Sequence, residues 1–317
     1  MLNQLSLAKK LFIGTLCVVI SVILIMVGIN SYQSRQNVLN QSQQRIEDVT
    51  QNLLKTVSLY HEMTMEKATT DLGILEAQQN IAGDPAVNQI KTATLQVKDR
   101  ASGQVRKMTL PKLMFGVHFA SLNFDLVDRV AEMGGATAEI YHLVENRLIC
   151  VSTSREGQDG QRPVGEAYPS GHGIVRTIQS GETFQGFTKH DGQLYVSMFK
   201  PFRDRRDRTV IGALHVRRKL LNPEFVDLVT RTNVNGKGTA FAFDQQGRLH
   251  IPPGAREAQQ SLADVSYGQK LLDAESGQLS YNADGKTILA AVQSFAPWEM
   301  RFAVTVILLR YAVPLFC

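Results

Sequence analysis

The first pattern along the chain is an unbroken apolar run from Leu11 to Ile29, LFIGTLCVVISVILIMVGI, without a charged residue. It is just long enough to cross a bilayer as a helix. No polar face interrupts it, unlike the buried helix of a soluble protein. Lys9 and Lys10 stand immediately before it, so the short N-terminal end (1–10) is expected in the cytoplasm and the rest of the chain outside. A cleaved signal peptide would have a shorter apolar region followed by a small-x-small site. The run instead closes in GINSYQ, so a retained anchor over 11–29 is expected.

From Ser31 to Gln79 the pattern becomes helical and amphipathic. The stretch contains no proline, and Gly73 is its single glycine. One apolar set is Val49, Leu53, Val57, Tyr60 and Thr64; another is Leu54, Leu59, Met63 and Met65. One long helix over 30–82 is predicted to continue out of the membrane. Gly83, Asp84 and Pro85 end it. Its Met and Leu stripe reads as a packing face against a domain or a twin helix.

The period then shortens to two. Ile90–Val97 and Val105–Leu110 alternate apolar and polar around Asp99, Ser102 and Gly103, a hairpin pattern. Asp125–Met133 is predicted as a helix ended by Gly134 and Gly135. Ala136–Tyr141 and Leu148–Ser152 are predicted strands, followed by a Gly/Pro-rich loop from Ser154 to Ser170 and a short helix at Ile174–Gln179. Strands follow at Thr183–Lys189, Gln193–Pro201 and Thr209–Val216. The plan then repeats. Pro223–Arg231 is a helix; Thr239–Asp244 and Arg248–Ile251 are strands; Tyr267–Asp273 is a short helix; Gln278–Asn282, Lys286–Ser294 and Glu299–Ile307 are strands. This order predicts an α+β fold: two units, 83–220 and 221–306, each an antiparallel sheet with helices on one side. The tail 307–317 is apolar, but Arg310 interrupts it and it is too short to span a bilayer alone.

Composition narrows the function classes. Hydrophobic residues make up 44% and charged residues 20%, enough apolar content for a core without staples. The net charge of +5 is spread out, and no Lys/Arg block has the density of a nucleic-acid face. Arg203, Arg205, Arg206 and Arg208 alternate with Asp204 and Asp207, as in a solvated turn. Cys17, Cys150 and Cys317 lie too far apart to suggest a disulfide framework. The seven histidines form no i, i+3 or i, i+4 pair and no CxxC occurs, so no metal or cofactor is expected. Asn233–Gly238, NVNGKG, lacks the spacing of a phosphate-cradling loop, and no GxSxG nucleophile motif is present. A membrane-tethered hydrolase is therefore disfavoured, and no enzyme is expected.

Several segments together resemble a known family: LPKLMFG (Leu110–Gly116), VDRVAEMGGATAEIY (Val127–Tyr141), CVSTS (Cys150–Ser154), DGQRPVG (Asp159–Gly165), GETFQGFTKHDGQLYVSMFKPF (Gly181–Phe202) and VIGALHV (Val210–Val216). In this order and spacing they resemble the double Cache sensor domains of bacterial chemoreceptors, of the fused Cache 3/Cache 2 type. Gly238–Pro253 and Pro297–Val304 extend the likeness into the second unit. The resemblance implies PAS-like units, the first membrane-distal and the second membrane-proximal, in a periplasmic sensor held in the inner membrane. It also implies a homodimer through the long helix and capture of a small molecule. Such receptors continue into a second membrane helix, a HAMP linker and a methyl-accepting signalling coil; the tail 307–317 would then be an incomplete second segment. The same exported half would serve a sensor kinase or a cyclic-dinucleotide enzyme as an input domain, and a truncated, non-signalling receptor is a further alternative. The chain departs from the family pattern at Cys150, where an arginine is common, at Glu166, where a threonine is common, and at Phe199, where a second tyrosine is common.

A pocket for a small organic anion such as a carboxylate needs converging donors. The candidates within the matching segments are Ser152, Thr153, Arg162, Tyr195 and Lys200. Ser152 and Thr153 end a predicted strand, where the hydroxyls could equally bond backbone. Arg162 lies in the Gly/Pro loop, capping a pocket or standing in solvent. Tyr195 and Lys200 are five apart, so a regular strand places them on opposite faces. Tyr168 and His172 are weaker candidates, the first expected in packing and the second at the surface.

Overall fold

The computed structural model describes residues 7–157, 160–234, 236, 238–253, 261–283 and 285–308; of residues 7–14, 17 and 35 it describes the backbone alone. Most of the expected cytoplasmic end and of the apolar tail therefore lies outside the described residues. The predicted long helix forms as α1, Leu7–Ala82, 76 residues without a break. It contains a window of mean hydropathy 1.4, none of it buried, and is long and apolar enough to cross a membrane. The helix ends where Gly83 takes φ 119°, a backbone angle that L side chains rarely adopt. A Cβ at that position would also lie 2.6 Å from Gly116 Cα.

The chain divides into two compact units. The larger spans Val57–Phe225; the smaller joins the helix up to Thr56 with the chain from Val226 onward. In the larger unit the strands are β1 (Pro85–Asp99), β2 (Val105–Phe115), β3 (His118–Phe119), β4 (Thr137–Val144), β5 (Arg147–Thr153), β6 (Glu166–Tyr168), β7 (Phe184–His190), β8 (Gln193–Arg203) and β9 (Val210–Lys219). Helix α2 (Asp125–Gly134) precedes β4, and α3 (Gly173–Gln179) precedes β7. The sheet runs β3-β2-β1-β6-β5-β4-β9-β8-β7. Its core of β5-β4-β9-β8-β7 has the order second-first-fifth-fourth-third, as a PAS-like unit requires.

The remaining strands extend that core sheet. Strand β6 lies inside the stretch expected as a loop. Its three residues are flanked by glycine and proline and carry no period of their own. Strand β1 pairs with β6 in parallel, Lys98 opposite Glu166, so the sheet is not antiparallel throughout. The β1–β2 hairpin is longer than its alternating segments suggest. Pro111 stands opposite Thr92 at a register shift, the kind of irregularity at which a strand tolerates proline.

Helix α1 packs on one face of this sheet. Its buried residues Val57, Thr64, Ala68, Leu72 and Leu75 recur at three, four and seven, while Leu59 and Met63 of the other stripe are exposed. The buried Asp71 carboxylate accepts from Arg218 Nε at 2.6 Å, and Arg218 also bonds the Gly134 carbonyl at the end of α2. Helix α3 covers the opposite face, where Ile174, Val175 and Ile178 join Tyr141, Leu148, Cys150, Tyr168, Phe199 and Ala213 in one apolar cluster.

The smaller unit contains α4 (Pro223–Arg231), which begins in the larger unit's last residues, then β10 (Thr239–Asp244), β11 (Leu249–Ile251), α5 (Gly268–Asp273), β12 (Gly277–Ala283), β13 (Lys286–Phe295) and β14 (Met300–Leu308). Its sheet order, β11-β10-β14-β13-β12, is again second-first-fifth-fourth-third. Phe241, Phe243, Leu271, Tyr281, Val292 and Ala303 form its core.

Gly212 of β9 is a point of close approach within the larger sheet. A Cβ there would overlap the Tyr141 carbonyl and lie 2.5 Å from the Phe202 ring. Gly212→Ala is expected to cost about 1–3 kcal/mol, the usual penalty of overpacking. Denaturant unfolding checks this; an unchanged midpoint would mean that the contact can relax freely.

Candidate ligand-binding site

The α3 face of the larger sheet contains polar residues where alternation alone would place core. Glu139 and Tyr141 are two apart on β4, and Ala213, His215 and Arg217 alternate on β9, so each set points to one face. Register then aligns the chemistry across the sheet. Glu139 stands opposite Thr153 of β5 on one side and His215 of β9 on the other. His215 in turn faces Phe199 of β8, and Phe199 faces Phe184 of β7. A register shift between Ile140 and Tyr141 pairs Tyr141 with Cys150 and Glu139 with Thr153, which brings Cys150 and Thr153 to the same face although they are three apart.

Glu139 is 2% exposed, and both its oxygens are occupied. Oε1 accepts from Thr153 Oγ1 at 3.0 Å and Arg217 Nη2 at 3.4 Å. Oε2 accepts from the Tyr141 hydroxyl at 3.0 Å and lies 2.9 Å from His215 Nδ1. Burial alone would raise the pKa of this carboxyl. The Arg217 charge and the His215 hydrogen bond outweigh burial and hold it well below the usual carboxylate range. The His215 ring is stacked on Phe199 with centroids 3.8 Å apart. Burial pushes its pKa down to about 4 against the opposing pull of Glu139.

A second set of charges adjoins the first. The parallel pairing of β1 with β6 brings Arg100 to Glu166, with Nη1 at 3.8 Å. Arg155, just past β5, reaches the other Glu166 oxygen at 2.8 Å. Arg100 Nη2 lies 2.8 Å from His190 Nδ1, and its guanidinium sits 4.7 Å from the Tyr168 ring centroid. Arg217 lies 5.0 Å from the Tyr195 ring centroid. His190 is likewise held at about 4, by burial first and then by Arg217 and Arg155.

Several buried nitrogens in this set have no hydrogen-bond partner: Arg217 Nε, Arg100 Nη1, Arg155 Nε, His215 Nε2 and His190 Nε2. The His190 nitrogen is 3.0 Å from Asp191 Oδ2, but outside hydrogen-bond geometry. Orphaned donors of this kind are rare in folded proteins and costly to bury. Three guanidinium charges face the carboxylates of Glu139 and Glu166, and Arg155 Nη1 also lies 3.7 Å from the exposed carboxylate of Asp191.

The residues singled out from the sequence fall in different places. Thr153 belongs to the Glu139 set, and Tyr195 lies beside Arg217. The Ser152 hydroxyl donates to the Asn123 carbonyl at 2.7 Å, the backbone alternative. Arg162 is held by Asp128 at 2.5 and 2.9 Å and by the Thr153 carbonyl, and stacks over Phe124. Lys200 is on the α1 face, 2.6 Å from Glu76. The β8–β9 register is regular from Tyr195 to Phe202, so no bulge brings Lys200 round to the Tyr195 side. Tyr168 packs in the core, and His172 caps α3 through Nδ1. Of the three departures from the family pattern, Cys150 is buried in the apolar cluster, Phe199 backs His215, and Glu166 holds two arginines. Sequence reading missed Arg100, Glu139, Arg155, His190, His215 and Arg217. The alternations in AEIY and ALHVR carried a signal for Glu139, His215 and Arg217: polar residues at inward positions of strands otherwise apolar.

The two sheet orders together define a tandem pair of PAS-like units. The model of the Cache 3/Cache 2 fusion domain matches residues 31–307, and the chain belongs to that family. No match was found among curated proteins. Among solved structures, the chain is similar to the sensory domain of the Campylobacter jejuni chemoreceptor Tlp3 with isoleucine bound, at 12% identity and TM-score 0.45 over 85% of this chain and 94% of that one. It is also similar to the ligand-binding domain of Mlp24 with asparagine, at 14% identity and TM-score 0.43 over 84% and 95%. A third is the periplasmic domain of RsbU from Chlamydia trachomatis, at 10% identity and TM-score 0.42 over 85% and 96%.

The buried histidines set a pH dependence. Unfolded histidines take up a proton below about pH 6.5, whereas His142, His190 and His215 in the fold are held at about 4. In between, the unfolded chain binds more protons, so stability is lost as pH falls through that window. Glu139 adds in the same direction at still lower pH. The melting temperature is expected to be flat above about pH 7 and to fall steadily toward pH 4. His142 is buried, and its Nδ1 has no partner. His142→Leu should therefore raise the melting temperature at about pH 5 and flatten the slope.

Proposed function

We propose that this chain is the extracytoplasmic ligand-sensing module of a membrane receptor and binds a small organic anion at the Glu139–His215–Arg217 face of its larger unit. The observation that carries this reading is the set of buried arginine nitrogens without hydrogen-bond partners. A carboxylate supplies the acceptors that these donors lack. Thr153 and Tyr195 then border the ligand, while Ser152 and Arg162 brace the strand and loop beside it. Lys200 contributes from the opposite face through its contact with α1.

Output runs through α1. The sheet that binds on one face grips α1 on the other through Asp71 and Glu76, so a change of strand packing alters the force on the helix. Leu59 and Met63, exposed on α1, suit pairing with a second copy of the helix. A chemotaxis transducer of the inner membrane, with this part in the periplasm, is the leading reading. An input domain for a kinase or a cyclic-dinucleotide enzyme is the alternative.

The test is thermal unfolding of the full chain in detergent against a panel of small organic acids. A ligand at a hundredfold excess over its Kd should stabilise the protein by about 2.7 kcal/mol. Arg217→Gln should abolish that shift. No shift from any acid in a folded sample would refute the reading.

A further inference from the structure

The hydrogen-bonding state of the site restricts the ligand further. With Glu139 ionised, its Oε2 can only accept, so the proton on His215 sits at Nδ1, 2.9 Å away. Held near 4 by burial, the imidazole is neutral at physiological pH. Its Nε2 therefore presents a lone pair, buried and unpartnered on a fully buried ring. Arg217, 2% exposed, contributes an unpartnered Nε–H to the same cluster, and Arg100 and Arg155 contribute one N–H each. The site thus combines several donors with one acceptor.

We infer, building on the anion-binding reading above, that the ligand is a hydroxycarboxylate: its carboxylate meets the arginine donors and its hydroxyl donates to His215 Nε2. A zwitterionic amino acid fits less well. Its ammonium needs a carboxylate, yet both oxygens of Glu139 are already taken. Glu166 is likewise shared by Arg155 at 2.8 Å and Arg100 at 3.8 Å. A plain carboxylate meets the arginine donors but leaves the His215 lone pair buried and unmet, and an unmet buried polar group is costly. A hydroxyl is the neutral donor that meets the His215 lone pair without asking for a further carboxylate.

The experiment is calorimetric titration of the full chain with two matched series: L-lactate, propanoate and L-alanine, and L-malate, succinate and L-aspartate. Within a series the members differ mainly in hydroxyl, hydrogen or ammonium at one carbon. In at least one series the hydroxy acid should bind about tenfold or more tightly than the unsubstituted acid, as one buried hydrogen bond predicts. The amino acid should bind more weakly than the hydroxy acid. His215→Phe should reduce the hydroxy preference to about onefold; if that variant does not fold, the ratios in the unsubstituted protein decide alone. An amino or plain acid binding tightest overturns the hydroxyl assignment while leaving anion sensing intact. So does silence from all six compounds when another organic acid stabilises the chain. Silence from every acid in the wider panel overturns both.

Discussion

A carboxylate buried at the centre of a sheet imposes conditions on everything around it. Glu139 is ionised with almost no access to water, which is tolerable only if its oxygens are saturated and its charge is answered. Thr153, Tyr141, His215 and Arg217 do this from three neighbouring strands. The interaction thereby fixes the register of β4 against β5 and β9, since a slip of one residue would send each partner to the opposite face. It also fixes the His215 tautomer, and with it which nitrogen is left for a ligand.

The smaller unit shows what the same topology looks like without that requirement. The five-strand core of the larger sheet and the smaller sheet have the same strand order. In the larger unit Thr137 pairs with Arg217 and Glu139 with His215. In the smaller unit Thr239 pairs with Thr305 and Phe241 with Ala303. The positions of Glu139, His215 and Arg217 in one unit hold a phenylalanine, an alanine and a threonine in the other, and the smaller face closes into an apolar core. The shared topology gives both units a sheet; the side chains at two registers decide which sheet carries a charged cluster.

The extension of the larger sheet beyond its five core strands has a comparable logic. Without β6 and the parallel end of β1, Arg100 and Glu166 would have no reason to meet. Their placement draws Arg155 and His190 into the same cluster and sets its charge. A three-residue strand in a glycine-rich loop is thus what joins the distant Arg100 to the Glu139 face.

The sequence by itself determined the elements whose signal is local. The apolar run, the long helix and its stop at Gly83, the helix Pro223–Arg231 and the strand Thr239–Asp244 follow from hydropathy, spacing and turn residues. The repeated order of elements also showed two α+β units. Only the tertiary structure decided what depends on pairing between segments far apart. Strand β6 has no period to announce it, and Lys200 could be assigned to its face only once the β8–β9 register was known to be regular. Glu139 and His215 are 76 positions apart and form one group only because β4 lies against β9. Local periodicity reports which face a residue occupies; it does not report which strand lies next to it. In this protein the charge and hydrogen-bonding state of the site reside in those neighbours.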